Sequence, residues 1–302
     1  MIRKPVVAGM FYPQTKQELI NEIELCFSSD LGPGIAELNR SEKLQEFEKS
    51  KVIALISPHA GYVFSGPCAA HGFYEVYHSS NKELTENQRC VVILGVNHTG
   101  LGSSGISLLD FETPLGVVKN NRWLSQELNK LSKVPLDEAP HIYEHSIEVQ
   151  LPFLQYIFEN RFTLIPIIVD ADADFNAIGN ALFQIKNKCK EFIVIASSDF
   201  THYGFDYHYI PFGENATEKV KEDDLETIKV ILKKDSMKFL ERANERTICG
   251  RYTITSLLEY VNNVEKEGKV KGELLKYYLS NEIYPSQSFV GYASIVFKTN
   301  SN

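Results

Sequence analysis

The chain has 302 residues, 43% of them hydrophobic and 23% charged, a balance typical of a globular protein with a large buried core. Its net charge of -8, without a basic cluster, argues against a nucleic-acid-binding surface. The N-terminal residues lack the apolar segment of a signal peptide, and no apolar run is long enough to span a bilayer. Five cysteines without a CxxC pair favour reduced thiols in a cytoplasmic protein over a four-cysteine zinc site.

The first fifty residues contain no regular alternation of strands and helices. Residues 1–14 predict an irregular arm that packs on the domain, and residues 15–29 have helical spacing. Asp30 to Lys51, with Gly-Pro-Gly near its start, predicts a loop that includes a short surface helix. This loop is too short to separate two cores.

From residue 52 onwards, apolar strands alternate with amphipathic helices. The predicted strands are residues 52–56, 91–95, 163–169, 192–196, 274–279 and 290–297, with a β-hairpin around 106–109 and 113–118. The predicted helices are residues 68–77, 123–131, a segment that opens within 141–152 and runs to 158, then 175–188, most of 215–243, and 252–264. We therefore predict one α/β domain, residues 1–302, with a mostly parallel or mixed central sheet covered by helices on both faces.

Three of the predicted strands end in polar loops that contain histidine. These loops are Ser57-Pro58-His59, Asn97-His98 and the segment from Ser197 to His202. In open α/β sheets, ligands bind outside the carboxyl ends of the strands. For one such histidine, a buried and hydrogen-bonded structural role is the default interpretation, but the recurrence favours a shared site. Four of the eight histidines lie in these loops or at a predicted helix start (59, 98, 145 and 202), three are scattered (71, 78 and 208), and one is undecided (141).

His59 and His98 form the natural pair of metal ligands, because each is placed by the end of a rigid strand. The third ligand has four candidates: Cys249, Asp199, His202 and Glu148. Cys249 precedes a glycine that allows a close backbone approach, and its thiolate would favour iron, copper or zinc. The alternative is a buried cysteine that acts as a small hydrophobe.

Two further pairs have spacings that suit catalysis. Asp199 and His202 are three residues apart, as in a carboxylate that orients an imidazole base; the alternative is a helix N-cap beside a surface histidine. His145 and Glu148 would face one side of a helix, either in the site or as a capped helix start. The glycines around His98 match neither a dinucleotide fingerprint nor a P-loop, and the Ser197 region lacks the serine-hydrolase elbow.

Five ordered motifs together resemble the Memo family, which in microbes is the B component of the AmmeMemoRadiSam system. The motifs are SPHAGY at 57–62, LGVNH at 94–98, EHSIE at 144–148, SSDFTH at 197–202 and TICGR at 247–251. The resemblance extends from Pro5 to the final strands and so covers nearly the whole chain. The Memo family in turn is similar in fold to class III extradiol dioxygenases, which hold non-haem iron at one end of an α/β sheet.

The resemblance implies a two-histidine, one-cysteine metal site of His59, His98 and Cys249. It also implies that Asp199 and His202 lie beside the metal, with His202 matching the dioxygenases' acid/base histidine; His145 completes the predicted catalytic set. The residues expected to line the pocket or support the ligands are Tyr62, Asn97, Glu148 and Arg251. A thiolate in place of the dioxygenases' carboxylate changes the redox potential and accommodates Cu(I), which argues against ring cleavage.

Two functions are compatible with this sequence. The first is an oxidoreductase of unknown substrate that depends on Fe²⁺ or copper, with zinc as a third option. The second is a non-catalytic binding or scaffold protein that uses the same cleft for a peptide or a small molecule, since animal Memo proteins are associated with signalling. A metal-dependent hydrolase is a weaker option. We expect no nucleic-acid or membrane partner, and the resemblance implies a functional link to AmmeMemoRadiSam partner proteins.

Overall fold

A computed structural model describes residues 1–38 and 50–300. Its strands are β1 (Ile2–Arg3), β2 (Ser50–Ser57), β3 (Arg89–Gly95), β4 (Gly105–Ile106), β5 (Asp110–Thr113), β6 (Gly116–Asn120), β7 (Thr163–Ile168), β8 (Glu191–Ser197), β9 (His202–Tyr203), β10 (Val270–Leu279) and β11 (Phe289–Asn300). Its α-helices are α1 (Lys16–Ser28), α2 (Tyr62–Ser79), α3 (Arg122–Ser132), α4 (Leu151–Phe158), α5 (Phe175–Ile185), α6 (Ala216–Leu232), α7 (Ser236–Asn244) and α8 (Arg251–Glu265). The predicted surface helix before residue 50 falls largely on residues 39–49, outside the described part.

The strands form one 11-stranded mixed sheet in the order β1-β5-β6-β7-β3-β8-β2-β11-β10, with β4 paired to β7 and β9 to β11. Its centre is parallel, because β7, β3, β8 and β2 run in the same direction. At one end of the sheet, β11 is antiparallel to β2, and β10 is antiparallel to β11. The predicted mixed sheet is therefore confirmed, and β3, β8 and β2 bring their carboxyl ends to one edge as neighbours.

Helices cover both faces of the sheet because the central strands are apolar on both sides. On β2, Ala54 and Ile56 belong to the core beneath α3, α5, α7 and α8, while Leu55 faces the core beneath α1, α2 and α4. The strand β3 alternates in the same way, with Val92 on the first face and Val91 on the second. A strand buried on both faces has the continuous apolar sequence from which it was predicted.

The helix α2 begins at Tyr62, whereas the sequence predicted a start at Cys68. The helix contains Pro67 near its start. Gly61 is its N-cap, and the backbone N–H of Tyr62 donates to the carbonyl of Phe11 at 2.7 Å. The helix start is thus satisfied by the N-terminal arm, a contact that no local pattern encodes.

The helix predicted to open within 141–152 and to run to residue 158 is present as α4, but it begins only at Leu151, because the preceding segment forms two short 3₁₀ turns, Ala139–His141 and Glu148–Gln150. Between them, the Glu144 carboxylate accepts the backbone N–H groups of His145 and Ser146, each at 2.9 Å. A side chain that captures backbone donors in this way competes with helix formation. The predicted hairpin is also displaced: β5 pairs with β6, whereas Ile106 pairs with β7.

The expectation of five reduced thiols is wrong for two of them. Cys90 and Cys189 form a disulfide that spans 99 residues of sequence. Cys26, Cys68 and Cys249 are free, and the first two are buried. In the described part of the chain, every helix is too short or too polar to cross a membrane. The cytoplasmic location stays a prediction.

Candidate metal centre

Four chemically active side chains meet at the carboxyl edge of the central sheet. His59 follows β2, His98 follows β3 and Asp199 follows β8, while Cys249 lies immediately before the Gly250 N-cap of α8. One ligand atom from each of His59, His98 and Cys249 lies within 4.8 Å of the other two. The structure thus brings the predicted pair and one of the four candidate third ligands into a constellation that fits a single metal ion.

The tautomer of His59 follows from its hydrogen bonds. Its Nδ1 lies 2.9 Å from the Ser197 hydroxyl oxygen, and that hydroxyl donates its own hydrogen to the carbonyl of Ser146 at 2.7 Å. Ser197 therefore accepts from His59, so Nδ1 carries the proton. The unprotonated Nε2 is then the atom that lies 3.2 Å from the Cys249 sulfur. Burial lowers the pKa of His59 well below its ordinary value, which keeps the ring neutral.

His98 is held in the same manner by a carboxylate. Its Nδ1 lies 2.9 Å from Glu144, and its backbone N–H donates to the other oxygen of that carboxylate at 2.7 Å. Burial alone would favour neutral Glu144, but hydrogen bonds from His98 and Ser146 outweigh it and lower the pKa of the carboxyl to about 2. Burial opposes a charge on His98, but hydrogen bonds with Cys249 and Glu144 outweigh it and raise the pKa of His98 to about 10. A charged Glu144 fixes one proton of His98 on Nδ1, so a metal would displace the proton on Nε2, as in carboxylate–histidine–metal sites.

Cys249 is placed by a close approach of its loop to the end of β8. The backbone N–H of Asp199 donates to the Cys249 sulfur at 3.1 Å, and the N–H of Gly250 donates to the Ser198 hydroxyl at 3.0 Å. A Cβ at position 250 would collide with Ser198, so glycine is required there. Burial raises the pKa of the Cys249 thiol, and a bound cation would reverse this by stabilising the thiolate.

His202 lines the same cavity. We predicted that Asp199 orients its ring, but two backbone carbonyls do so instead. Its Nδ1 lies 3.0 Å from the carbonyls of both Phe200 and Thr247. Carbonyls only accept, so Nδ1 carries the proton and a neutral His202 presents Nε2 as an acceptor. Its backbone N–H donates to the Thr247 hydroxyl at 2.9 Å, which ties the His202 loop to the Cys249 loop.

Asp199 connects the loops that hold two ligands. Its side chain accepts the backbone N–H of His59 at 2.8 Å, and its backbone N–H reaches Cys249. Burial raises the pKa of its carboxyl, which His202 nearby partly offsets. These two hydrogen bonds fix the geometry of the ligand loops, and the Asp199 side chain also forms part of the cavity wall.

His145 stacks on His98 with ring centres 4.7 Å apart and contacts Phe11 edge-on at 4.8 Å. Burial lowers the pKa of His145 to about 4, so the ring is neutral near pH 7.

A second group of potential ligands among the described residues, His98, Glu144 and His145, shares His98 with the first. Its Glu144 oxygens already accept three backbone N–H groups and the His98 ring, so the first group is the better metal site.

A cavity of about 460 Å³ opens over this cluster. Its polar wall is formed by His59, His98, His145, Asp199 and His202. The remaining wall is mainly aromatic and small polar: Phe11, Phe64, Tyr207, Tyr284, Tyr292, Ser280, Ser286 and Ser288. A cavity of this size, with convergent polar groups at one end, suits a small molecule.

The four residues predicted to line the pocket or support the ligands all lie outside the cavity wall: Tyr62, Asn97, Arg251 and Glu148. Tyr62 is buried and donates to the carbonyl of Val149. The side-chain NH₂ group of Asn97 donates to the carbonyl of Leu101 in the same loop and to the carboxylate of Asp170. Arg251 stacks over Tyr252, its neighbour on α8.

Glu148 is fully buried and belongs to the anchor of the N-terminal arm. It accepts from the backbone N–H groups of Val6 and Val7, from Tyr12 and from Arg3. These contacts occupy its oxygens and remove it as a third ligand. His141, undecided from sequence, is a buried structural residue whose Nε2 lies 3.0 Å from the carbonyl of Gly105.

Sequence reasoning missed the residues that orient the ligands. Ser197 and Glu144 fix the two imidazoles, and Arg3 donates to the backbone carbonyl of Glu144 from the N-terminal arm. Ser197 had a usable signal, a polar residue that ends an apolar strand, and Glu144 directly precedes a histidine. Arg3 had none, since its partner lies 141 residues away.

Comparison with solved structures identifies the fold class. A crystal structure of an uncharacterised protein from Escherichia coli K12 superimposes with a TM-score of 0.51 at 11% identity, covering 82% of this chain and 100% of that one. At this identity the similarity shows the fold alone, which is the mixed α/β architecture described above.

Sequence comparison identifies the family. The Memo-like protein family model matches residues 3–296. A MEMO1 family protein of Nitrosopumilus maritimus is 39% identical over 305 residues, covering 98% of this chain and 100% of that protein. One from Pyrococcus abyssi is 40% identical over 317 residues, covering 99% of this chain and 100% of that protein. The chain therefore belongs to the Memo family.

Proposed function

We propose that this protein is a metal-dependent oxidoreductase whose metal is held by His59, His98 and Cys249. The supporting observation is the direction of the two imidazoles: both have Nδ1 engaged by a hydrogen-bond acceptor, and the Nε2 of His59 lies beside the Cys249 sulfur. Such fixed tautomers and second partners are typical of metal-binding histidines.

The donor set limits the choice of metal. One thiolate and two imidazoles are soft or borderline ligands that suit iron, copper or zinc and disfavour magnesium and calcium. Fe²⁺ or copper would supply electron transfer and an open coordination position for a substrate. Zinc would fit the same donors without redox chemistry.

The chain's own residues would manage protons around that metal. His202 borders the cavity with its Nδ1 held by two carbonyls, so its Nε2 is free to accept a proton from a bound substrate. Asp199 would hold the ligand loops in register. His145, neutral and stacked on His98, would close the polar wall and exclude water from one side.

Metal content after anaerobic purification tests the ligand assignment. The wild-type protein should contain near-stoichiometric iron or copper, and Cys249→Ser should lose it. Cys26→Ala is the matched control, because Cys26 is a free cysteine buried in the core on the opposite side of the sheet from α8. Full metal occupancy in Cys249→Ser would show that the ligand assignment is wrong. Stoichiometric zinc alone would contradict the redox function but keep the site.

His202→Ala separates binding from chemistry. It should leave the metal content unchanged, because His202 is outside the group of three ligand atoms, and should abolish most turnover once a substrate is known. His78→Gln, at an exposed histidine remote from the cavity, should change neither property. A loss of metal in His202→Ala would place this residue among the ligands.

A second candidate, a binding protein that uses the same cleft, is favoured by the apolar rim of the cavity. Exposed side chains on or next to this rim include Phe64 at 38% and Tyr284 at 71%, together with Met10, Val63 and Phe205. Exposed apolar groups around a cleft are typical of surfaces that bind a peptide or an apolar molecule. The link to AmmeMemoRadiSam partner proteins and the cytoplasmic location remain part of these proposals.

A triple variant separates the two functions. His59→Ala, His98→Ala and Cys249→Ala together should remove the metal. Any partner that depends on the metal-bound form should then be lost from a pull-down, whereas a partner of a metal-independent binding protein should be retained at unchanged affinity. Retention would favour the second candidate.

A further inference from the structure

A second cavity, also of about 460 Å³, lies at the opposite edge of the sheet, where β2 and β8 begin. Its wall includes Cys189, one of the two sulfurs of the disulfide. Cys189 is partly exposed, whereas Cys90, on β3, is fully buried and does not border the cavity. A solute in this cavity would therefore reach one sulfur of the bond and not the other.

The buried sulfur has a fixed hydrogen-bond donor. The amide oxygen of Asn121 accepts the backbone N–H of Leu124 at the start of α3, at 3.2 Å, so its NH₂ group points the other way. That group donates to the Cys90 sulfur at 3.4 Å. The same NH₂ group also donates to the Thr163 hydroxyl at 3.1 Å, and that hydroxyl donates to the carbonyl of Arg89 at 3.3 Å. A sulfur with an N–H donor beside it leaves more readily as a thiolate, because the donor stabilises its charge.

The cavity is positively charged. Its wall contains four lysines, Lys51, Lys186, Lys190 and Lys269, and two glutamates, Glu191 and Glu267. Glu267 pairs with Lys186 at 2.8 Å, and Glu191 pairs with Arg89. The other three lysines have no ion-pair partner within residues 1–38 and 50–300. An anion would be attracted to the cavity, and most strongly at low ionic strength.

From the accessible Cys189, the stabilised Cys90 and the lysines, we propose that this disulfide is an exchange site for an anionic low-molecular-weight thiol. The thiolate of the small molecule attacks the Cys189 sulfur and forms a new S–S bond. The Cys189–Cys90 bond breaks, and its electron pair leaves on Cys90 as a thiolate beside Asn121. A second thiolate then releases the small-molecule disulfide and leaves Cys189 as a thiolate. This proposal is independent of the metal centre.

Two small thiols of similar size and opposite charge test it on the intact protein. 2-Mercaptoethanesulfonate and cysteamine are each added at equal thiolate concentration, the reaction is quenched with acid, and the adducts are located by peptide mass spectrometry. We expect adducts on Cys189 and free thiol on Cys90, with the sulfonate reacting roughly tenfold faster than cysteamine at low salt. The triple variant Lys51→Gln, Lys190→Gln, Lys269→Gln should remove this preference.

Each other outcome overturns part of the proposal. Adducts on Cys90 would contradict the assigned direction of attack. Equal rates for the two thiols in the wild-type protein would remove the lysine cavity as the determinant of specificity. If neither thiol reacts until the protein is unfolded by urea, the disulfide is purely structural and the exchange site does not exist.

Discussion

At the scale of single residues, the proposed metal site depends on Ser197 and Glu144, whose side chains contact the two imidazoles. Ser197 also accepts from Gln150 at 2.8 Å, so its oxygen is saturated and its orientation is fixed. A ligand held by such a partner keeps one tautomer and one ring direction. Positioning of this kind typically contributes a factor of 10 to 100 in metal affinity.

We therefore expect Ser197→Ala to weaken metal binding by roughly tenfold, because His59 loses the acceptor for its Nδ1 proton. The measurement is a competition titration against a chelator of known affinity. Ser294→Ala is the matched control, since Ser294 is another fully buried strand serine, and its hydroxyl has no hydrogen-bond partner in the described structure. Equal affinities for the two variants would show that Ser197 does not orient His59.

The sequence predicted the residues of the proposed metal site but not the residues that hold them. His59 and His98 are visible because each follows a long apolar strand, and strand ends meet at one edge. Ser197 follows such a strand as well, but which atom it binds depends on the register of β2 with β8. Glu148 was assigned to the site from a helical spacing that the chain does not adopt, because Glu144 captures the local backbone donors.

At the scale of elements, the N-terminal arm is attached through one buried ion pair. Arg3 and Glu148 pair at 2.7 Å, and their side chains are 4% and 0% exposed. Arg3 also donates to the carbonyls of His141 and Glu144, so the arm is tied to the segment that carries the His98 carboxylate. The stability of the arm and the order of the proposed metal site are therefore connected.

Arg3→Ala should destabilise the protein by about 3 kcal/mol or more, because it leaves Glu148 charged and buried without its cation. Lys4→Ala removes the next cation along the arm, whose side chain is 72% exposed and pairs with Glu112. This control should cost less than about 1 kcal/mol. Urea unfolding of both variants measures the difference, and similar small losses would contradict the anchoring role.

The helix α6 carries a buried carboxylate, Asp224, which accepts hydrogen bonds from the hydroxyls of Thr201 at 2.6 Å and Tyr277 at 2.8 Å. Burial raises the pKa of Asp224 to about 6, above the value of about 4 in an unfolded chain. Between these values the folded state binds more protons than the unfolded state. The free energy of unfolding therefore decreases as the pH rises from about 4 to 6, by an amount on the order of 3 kcal/mol.

Asp224→Asn should remove this contribution, so stability should fall less steeply between pH 4 and 6 than in the wild type. The measurement is the urea midpoint across that range. Glu222→Gln, at an exposed carboxylate on the same helix, should retain the wild-type slope. An identical slope in Asp224→Asn would mean that Asp224 titrates equally in the folded and unfolded chain.

At the scale of the whole molecule, the sequence predicted the layers of the fold better than their connections. Continuous apolar strands such as β3 required burial on both faces, and the sheet has helices on both. The order of the strands and the Cys90–Cys189 bond could not be predicted from the sequence, because both depend on contacts between distant segments. The odd number of cysteines also gave no indication that two of the five form a disulfide while the other three are free.

The disulfide closes a loop of 99 residues, and by loop entropy it should stabilise the fold by roughly 4–5 kcal/mol. The double variant Cys90→Ser, Cys189→Ser should therefore unfold at a markedly lower urea concentration than the wild type. Added reductant should lower the wild-type midpoint towards that of the variant and leave the variant unchanged. A variant as stable as the oxidised wild type would contradict the predicted contribution.

The proposed metal site consists of one sulfur and two imidazoles of this chain. Metal K-edge X-ray absorption on protein reconstituted anaerobically with Fe²⁺ or Cu⁺ tests it most directly. We predict one sulfur scatterer and two imidazole ligands in the wild type, with the sulfur contribution lost in Cys249→Ser. A wild-type spectrum with only nitrogen and oxygen ligands would contradict the account.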